Sequence, residues 1–143
     1  MIKFKPYYSS FLTLQGFFFL GLGIYFIFLR PPILQEDARY VNLSLSKIQN
    51  KIPGLASWLQ KVFWVMGGYM LSVGILTVYM AQTSFRNRSH GAFLITLVTG
   101  IASIASMTII NFMLGSEFKW ILLVFNLPWF IALILYSVHK HNG

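Results

Sequence analysis

Residues 11–29 read FLTLQGFFFLGLGIYFIFL and contain no acidic side chain, no basic side chain and no histidine. Three further stretches, 62–81, 92–114 and 120–138, share this property. A helix of about 20 mostly apolar residues is long enough to cross the hydrocarbon core of a bilayer. The sequence therefore predicts an all-α polytopic membrane protein whose four transmembrane helices form one bundle.

The composition of the whole chain favours the same class. Of its 143 residues, 57 % are hydrophobic and 10 % are charged, and the mean hydropathy is +0.68. A water-soluble fold would need a larger share of polar residues to cover its surface. Because the four stretches use more than half of the chain, we expect residues 1–143 to form a single domain. The stretch 11–29 is too long for the apolar core of a signal peptide, so we expect it to be retained.

The formal net charge of +8 indicates the kind of surface that the chain meets. Its Lys and Arg residues are spread over the loops and tails, without a basic cluster that alternates with aromatic residues, so we expect contact with anionic lipid head groups and no nucleic-acid partner. Without cysteine there is no disulfide, thiolate nucleophile or Cys-ligated metal. His90, His139 and His141 lack a nearby carboxylate that would complete a metal site, so we predict no metal and no cofactor.

The distribution of basic residues also predicts an orientation. Lys3, Lys5, Arg86, Arg88 and Lys140 fall on one side of the four spans, and that side has no acidic residue. On the opposite side, the basic residues are diluted over a longer loop and are accompanied by all the acidic residues of the chain. Because cytoplasmic loops carry an excess of Lys and Arg, this density predicts that both termini lie in the cytoplasm.

The segment 30–61 is the one substantial piece predicted to lie outside the hydrocarbon. Pro31 and Pro32 end the first helix, because proline lacks the backbone donor and disfavours helical angles in the residue before it. Apolar residues then recur at alternating steps of four and three, which is the spacing of one helix face. These residues are Val41, Leu45, Ile48, Ile52, Leu55 and Leu59. We therefore predict a short interfacial amphipathic helical loop between helices 1 and 2, broken at Pro53-Gly54.

Small residues within the spans mark the expected contacts between helices. Lipid offers no hydrophobic drive for helices to associate, so close approach of their backbones must supply the attraction. The positions predicted to pack in this way are Gly21, Gly67, Gly68, Gly74, Gly100 and Ser103.

Few polar side chains are available for chemistry at membrane depth. No ionisable residue lies inside the four stretches, which argues against an ion-coupled transporter. Gln15, Asn111 and Asn126 carry amides there, and each can either bind a neighbouring helix or orient the polar head of a ligand. Pro128 follows Asn126 by two residues and is expected to bend the fourth helix, which forms either a simple kink or the wall of a pocket.

A second polar group lies just outside the first span. Glu36 and Asp37 are adjacent acids, and Arg30 and Arg39 are near enough in sequence to pair with them. Two interpretations remain open: a structural ion-pair network that ties the loop to the mouth of the bundle, or a polar gate or binding site. Together with the amides, the candidate ligand-binding residues are Gln15, Asn111, Asn126, Glu36, Asp37, Arg39 and Tyr40.

Several local features carry a family resemblance. An apolar first helix ends before Pro31, and the second helix contains Val65-Met-Gly67-Gly68 and Gly74-Ile-Leu76. The basic turn Arg86-Asn-Arg88 and the run from Ala92 to Gly100 follow. In these features the chain resembles the DoxX/DoxD-like group of small four-helix membrane proteins. The resemblance implies a compact bundle that often works beside other membrane proteins, and it implies no catalytic residue.

Three functions are compatible with these residues. The leading hypothesis is a non-catalytic accessory or scaffolding subunit, which contacts the bilayer and either another membrane protein or a second copy of itself. The alternative is a binder, carrier or enzyme for a lipid-like molecule, such as a sterol, quinone or fatty derivative, held in a cavity of the bundle near Pro128. The third is a small oligomeric channel or transporter.

Overall fold

A computed structural model describes residues 7–139, and this part of the chain is helical, without strands. Its helices are α1 (Tyr7–Leu29), α2 (Gln35–Tyr40), α3 (Leu45–Lys51), α4 (Leu55–Phe85), α5 (Ala92–Met113), α6 (Lys119–Phe125) and α7 (Leu127–His139). Four spans are long and apolar enough to cross a membrane: α1, α4, α5 and the combined α6 and α7. The prediction of an all-α polytopic bundle of four transmembrane helices is confirmed.

The second span begins earlier in the structure than the sequence predicts. We expected it to start at residue 62, after a separate short helix, whereas α4 begins at Leu55 and continues without a break. The physical reason is that Pro53 and Gly54 interrupt the helix only once, and no helix-breaking residue follows before the apolar stretch. Trp58 and Leu59 therefore belong to α4.

Three π-helical turns interrupt the regular α geometry: Tyr25–Leu29 at the end of α1, Ala81–Phe85 at the end of α4, and Ile101–Ala105 in the middle of α5. Such turns are rare and are found frequently at functional sites. The third of them places Ile104 in the interior, where it is fully buried. It also separates the two halves of α5, which line different parts of the interior described below.

The contact between α1 and α4 depends on two reciprocal pairs of glycines. A Cβ atom on Gly74 would lie 2.9 Å from the carbonyl oxygen of Gly16, and one on Gly67 would lie 2.8 Å from that of Gly23. A side chain at either position would force the helices apart, so glycine permits the close approach that holds membrane helices together. The predicted packing positions Gly67 and Gly74 therefore lie at this contact.

The structure differs from the sequence prediction at Gly21 and Gly68. Nothing lies within 4 Å of the position that a Cβ would take on either residue, so neither makes a close helix contact in this bundle. The reason is rotational: each of these glycines points away from the face on which its helix meets a neighbour. Gly100, in contrast, lies directly against the indole of Trp129. The Ser103 hydroxyl donates to the carbonyl of Thr99 in its own helix.

The bundle is tight at the end that contains the first and last described residues. There the first turns of α1 and the last turns of α4 pack with the start of α5 and with α7 around a continuous apolar core. Its buried members are Tyr8, Leu12, Ala81, Phe85, Ala92, Trp129, Ala132, Leu133 and Tyr136. α4 and α5 pack against each other chiefly here, beside their short connection. Toward the other end of the bundle, a cleft lies between these two helices.

The loop between α1 and α4 contains the two short helices α2 and α3. The Ser44 hydroxyl caps α3 by accepting a hydrogen bond from the backbone nitrogen of Lys47 at 3.3 Å. Within the predicted apolar stripe, Ile48 is buried, whereas Val41 and Ile52 are more than half exposed. The other three stripe residues, Leu45, Leu55 and Leu59, are half-buried, so the stripe is only partly covered by the bundle, which is compatible with an amphipathic segment at a membrane interface.

Candidate ligand cleft between α4 and α5

Two adjoining chambers form the cleft between α4 and α5, with α1 as their shared floor. The wide chamber has a volume of about 810 Å³ and lies toward the end of the bundle opposite the tight end. The inner chamber has a volume of about 340 Å³ and lies nearer the tight end. Phe19, Val73 and Ser103 line both chambers, so the two meet at the middle of the spans.

The lining of the wide chamber is almost entirely apolar. Its aromatic side chains come from α1, α4, α6 and the turn before α6, and they are joined by flexible methionines of α4 and α5. Phe18 and Phe125 stack across the floor with their ring centroids 4.4 Å apart. Aromatic rings provide large flat surfaces and methionines adapt to irregular shapes, so this chamber suits a bulky apolar molecule.

Arg30 and Asp37 stand at the mouth of the wide chamber and are paired with each other. The guanidinium of Arg30 lies 3.5 Å from the Asp37 carboxylate and 3.6 Å from the centre of the Phe63 ring. The same carboxylate accepts a hydrogen bond from the backbone nitrogen of Leu34 at 2.8 Å, at the start of α2. Both charges are thus already matched within the protein.

Glu36 joins α2 to the connection between α5 and α6. Its carboxylate accepts hydrogen bonds from the Ser116 hydroxyl and from the backbone nitrogen of Glu117, each at 2.9 Å. These bonds hold α2 across the mouth of the wide chamber, where Glu36 and Asp37 line its edge. Arg39 pairs with Glu117 at 3.7 Å on the exposed surface, and Tyr40 is exposed, so neither lines the cleft.

Gln15 is the most unusual polar residue of the inner chamber. Its side chain is 1 % exposed, and neither Nε2 nor Oε1 has a hydrogen-bond partner among the described residues. The hydroxyl of Thr96, which lines the same chamber from α5, is also buried without a partner among the described residues. An unsatisfied buried polar group costs about 1–3 kcal/mol, so two of them in one chamber require a physical explanation.

The three amides predicted to orient one polar head do not lie together. Gln15 lines the inner chamber and Asn111 lines the wide chamber, whereas Asn126 lines neither. Asn126 instead donates from Nδ2 to the Thr108 hydroxyl at 2.6 Å and to the carbonyl of Leu122 at 2.8 Å. It therefore joins the fourth span to α5, at the break between α6 and α7 that Pro128 accompanies.

Sequence reasoning did not assign a site role to Thr96 or Trp129. The indole nitrogen of Trp129 donates to the backbone carbonyl of Thr96 at 3.0 Å, and the ring fills the space beside Gly100. Thr96 and Gly100 are four residues apart and so share a helix face, which was the only sequence signal available for this contact. The contact forms one wall of the inner chamber.

Comparison with known proteins adds no further assignment: no protein-family model, no curated protein and no solved structure matches the chain. The resemblance to the DoxX/DoxD-like group therefore stays a prediction.

Proposed function

We propose that this multi-pass integral membrane protein binds or carries one lipid-like molecule in the cleft between α4 and α5. The observation that supports this most directly is the apolar wide chamber of about 810 Å³. Small-molecule sites typically measure about 300–1,000 Å³ and are lined mainly by apolar and aromatic side chains.

The cleft opens sideways, toward the lipid. Tyr69 of α4 and Ile110 of α5 both line the wide chamber, and they are 71 % and 50 % exposed on the outer surface of the bundle. A side chain that belongs both to a chamber wall and to the outer surface marks an opening between helices. The proposed ligand therefore enters from the hydrocarbon core of the bilayer, without passing through water.

The lining favours binding over catalysis. It supplies hydroxyl groups, but it contains neither a histidine nor a cysteine that would act as base or nucleophile. Its acidic residues, Glu36 and Asp37, are engaged by hydrogen bonds that hold α2 in place. Apolar surface is what remains to hold a ligand, and this suits a sterol, quinone or fatty derivative.

Gly21 provides a way to test the occupancy of the wide chamber. It lines that chamber, and nothing lies within 4 Å of its Cβ position, so the side chain of Gly21→Leu begins in open space at the chamber wall. The matched control is Gly68→Leu, because Gly68 also has open space around it but lines neither chamber. In native mass spectrometry from a mild detergent, we expect the wild type and Gly68→Leu to retain a lipid-sized mass and Gly21→Leu to lose it.

Equal retention by Gly21→Leu and the wild type would contradict a ligand in the wide chamber. A co-purifying protein in place of a lipid-sized mass would instead favour the accessory or scaffolding subunit considered from the sequence. The experiment therefore tests both whether the wide chamber is the binding site and whether its occupant is a lipid-sized molecule.

For orientation, we propose that both termini face the cytoplasm. The described basic residues on that side are Arg86 and Arg88, which pack beside Tyr8 and Tyr136 at the tight end of the bundle. Lys3, Lys5 and Lys140, which contributed to the prediction, lie outside the described residues. Because the chain has no native cysteine, single Asn87→Cys and Asn50→Cys variants report the two sides cleanly. An impermeant maleimide added to intact cells should label Asn50→Cys alone, and labelling of Asn87→Cys alone would reverse the orientation.

A further inference from the structure

We propose that the inner chamber binds a hydroxyl group of the lipid-like molecule through the side-chain amide of Gln15, assisted by Thr96. This inference rests on the proposed ligand cleft and adds the chemical group that the cleft recognises. It places the apolar body of the molecule in the wide chamber and its hydroxyl group in the inner chamber.

The amide of Gln15 differs from the amides of Asn111, Asn126 and Gln82. Asn111 donates to its own helix at Met107, Asn126 donates to Thr108 on the neighbouring helix, and Gln82 donates to Thr13 on α1. These are the helix-to-helix and within-helix bonds that membrane proteins use to satisfy polar groups. Gln15 alone of these four makes no such bond, although it is the most deeply buried of them. Its donor and its acceptor both remain available to a ligand.

The inner chamber favours an uncharged group. None of its lining residues is acidic or basic, so a charged head group would lie in a low-dielectric space without a counter-ion. A hydroxyl group carries no charge and can use both ends of the amide, because it accepts from Nε2 and donates to Oε1. A ketone oxygen would accept from Nε2 but would leave Oε1 unpaired. The hydroxyl of Thr96 adds a further donor or acceptor in the same chamber.

The position of the two chambers agrees with this arrangement. They meet at Phe19, Val73 and Ser103, so a single molecule that fills the wide chamber can extend into the inner one. The charged residues at the opposite mouth, Arg30 and Asp37, are already paired with each other. The amide of Gln15 and the hydroxyl of Thr96 are thus buried polar groups of the cleft that lack a partner among the described residues.

Trp129 makes the inner chamber directly observable. Its indole is 4 % exposed and lines this chamber, whereas Trp58, Trp64 and Trp120 are at least half exposed. Replacing those three with phenylalanine leaves Trp129 as the sole tryptophan, since the chain has four. Two probes of equal chain length are then titrated into the protein in detergent: a long-chain alcohol with bromine on the carbon next to the hydroxyl-bearing carbon, and the corresponding bromoalkane. Bromine quenches an indole on contact.

We expect the bromoalcohol to quench Trp129 saturably, with an affinity about tenfold higher than that of the bromoalkane, which is the effect of one satisfied buried amide. Gln15→Leu should remove this preference and leave the affinity for the bromoalkane unchanged. It should also melt no lower than the parent protein, because it removes an unsatisfied polar group. Thr96→Val, a second variant of similar shape, should reduce the preference several-fold. Gln82→Leu is the matched control and should retain it in full.

Equal affinity for the two probes in the parent protein would overturn the inference, as would a preference that survives Gln15→Leu. Suppose that one of these two results is obtained while the wild type still retains a lipid-sized mass in native mass spectrometry. The role of Gln15 would then be excluded, and the ligand cleft would remain supported. If neither probe binds saturably and the wild type retains no lipid-sized mass, both the role of Gln15 and the ligand cleft would be contradicted.

Discussion

The carboxylate of Glu36 accepts a hydrogen bond from the hydroxyl of Ser116 at 2.9 Å, across 80 positions of the sequence. Glu36 lies on α2, just after the first span, and Ser116 lies between the third and fourth spans. A second bond, from the backbone nitrogen of Glu117, fixes the same carboxylate. This pair of bonds ties α2 to the far side of the wide chamber, together with the exposed ion pair between Arg39 and Glu117.

Removal of this tie should destabilise the protein. We expect Glu36→Ala to lower the free energy of unfolding by about 1–3 kcal/mol, because it deletes two hydrogen bonds to a charged acceptor. The control is Glu117→Gln, which breaks the exposed pair with Arg39 and should change stability by less than about 0.5 kcal/mol. Chemical unfolding in detergent measures both variants. Equal losses in the two would contradict a special role for Glu36.

Neighbouring glycines of α4 should respond in opposite ways to the same substitution. Gly67→Ala places a methyl group 2.8 Å from the Gly23 carbonyl and should cost about 1–3 kcal/mol by separating α1 from α4. Gly68→Ala meets open space and should be neutral or stabilising, by up to about 1 kcal/mol, because alanine favours helix. Thermal unfolding of the two variants in one detergent tests the glycine contact. A destabilised Gly68→Ala would show that this face is occupied.

The contact between Gly100 and Trp129 should couple stability to fluorescence. Gly100→Ala would overlap the indole, so the ring must shift and its hydrogen bond to the Thr96 carbonyl must break. In the background where Trp129 is the sole tryptophan, we expect its emission to change wavelength and the protein to lose about 1–3 kcal/mol of stability. The same alanine introduced with Trp129→Leu should cost much less, because the obstructing ring is gone. An additive double mutant would contradict the contact.

Asn126 and Asn111 should differ in their contribution to stability. Asn126→Leu removes a buried bond between the fourth span and α5 and should cost about 1 kcal/mol, in the range for hydrogen bonds between membrane helices. Asn111→Leu removes a bond within a single helix and should change stability by less than about 0.5 kcal/mol. Parallel unfolding measurements show which variant loses more stability. A larger loss of stability for Asn111→Leu than for Asn126→Leu would contradict the assigned helix-to-helix bond of Asn126.

The spans themselves were predictable because lipid imposes a simple rule, that charged residues stay outside the hydrocarbon. The exact rotation of each helix was not. Gly67 and Gly68 are equally small and adjacent, yet a helix turns by about 100° per residue, so one meets α1 and the other does not. Which of the two faces inward depends on the position of a helix elsewhere in the chain.

The candidate site shows the same limit. The sequence singled out Gln15 as a polar residue in an apolar span, but it grouped Gln15 with Asn111 and Asn126. The structure places it in the same chamber as Thr96 instead, because the relative rotation of α1 and α5 decides which residues share a chamber. The pairing of the loop charges was likewise only partly anticipated: Arg30 meets Asp37, but Arg39 meets Glu117 and Glu36 binds the Ser116 hydroxyl.

The connection 86–91 joins α4 to α5 at the tight end of the bundle. The two helices are therefore held together at that end and are separated by the cleft at the other. A rotation of about 5° at that end moves the other tip of a rod about 30 Å long by about 3 Å. Any change in the separation of α4 and α5 is therefore largest in the leaflet away from the tight end and smallest beside Gln15. The two halves of the bilayer then have unequal access to the cleft, and we expect the proposed lipid-like ligand to enter from the distal leaflet.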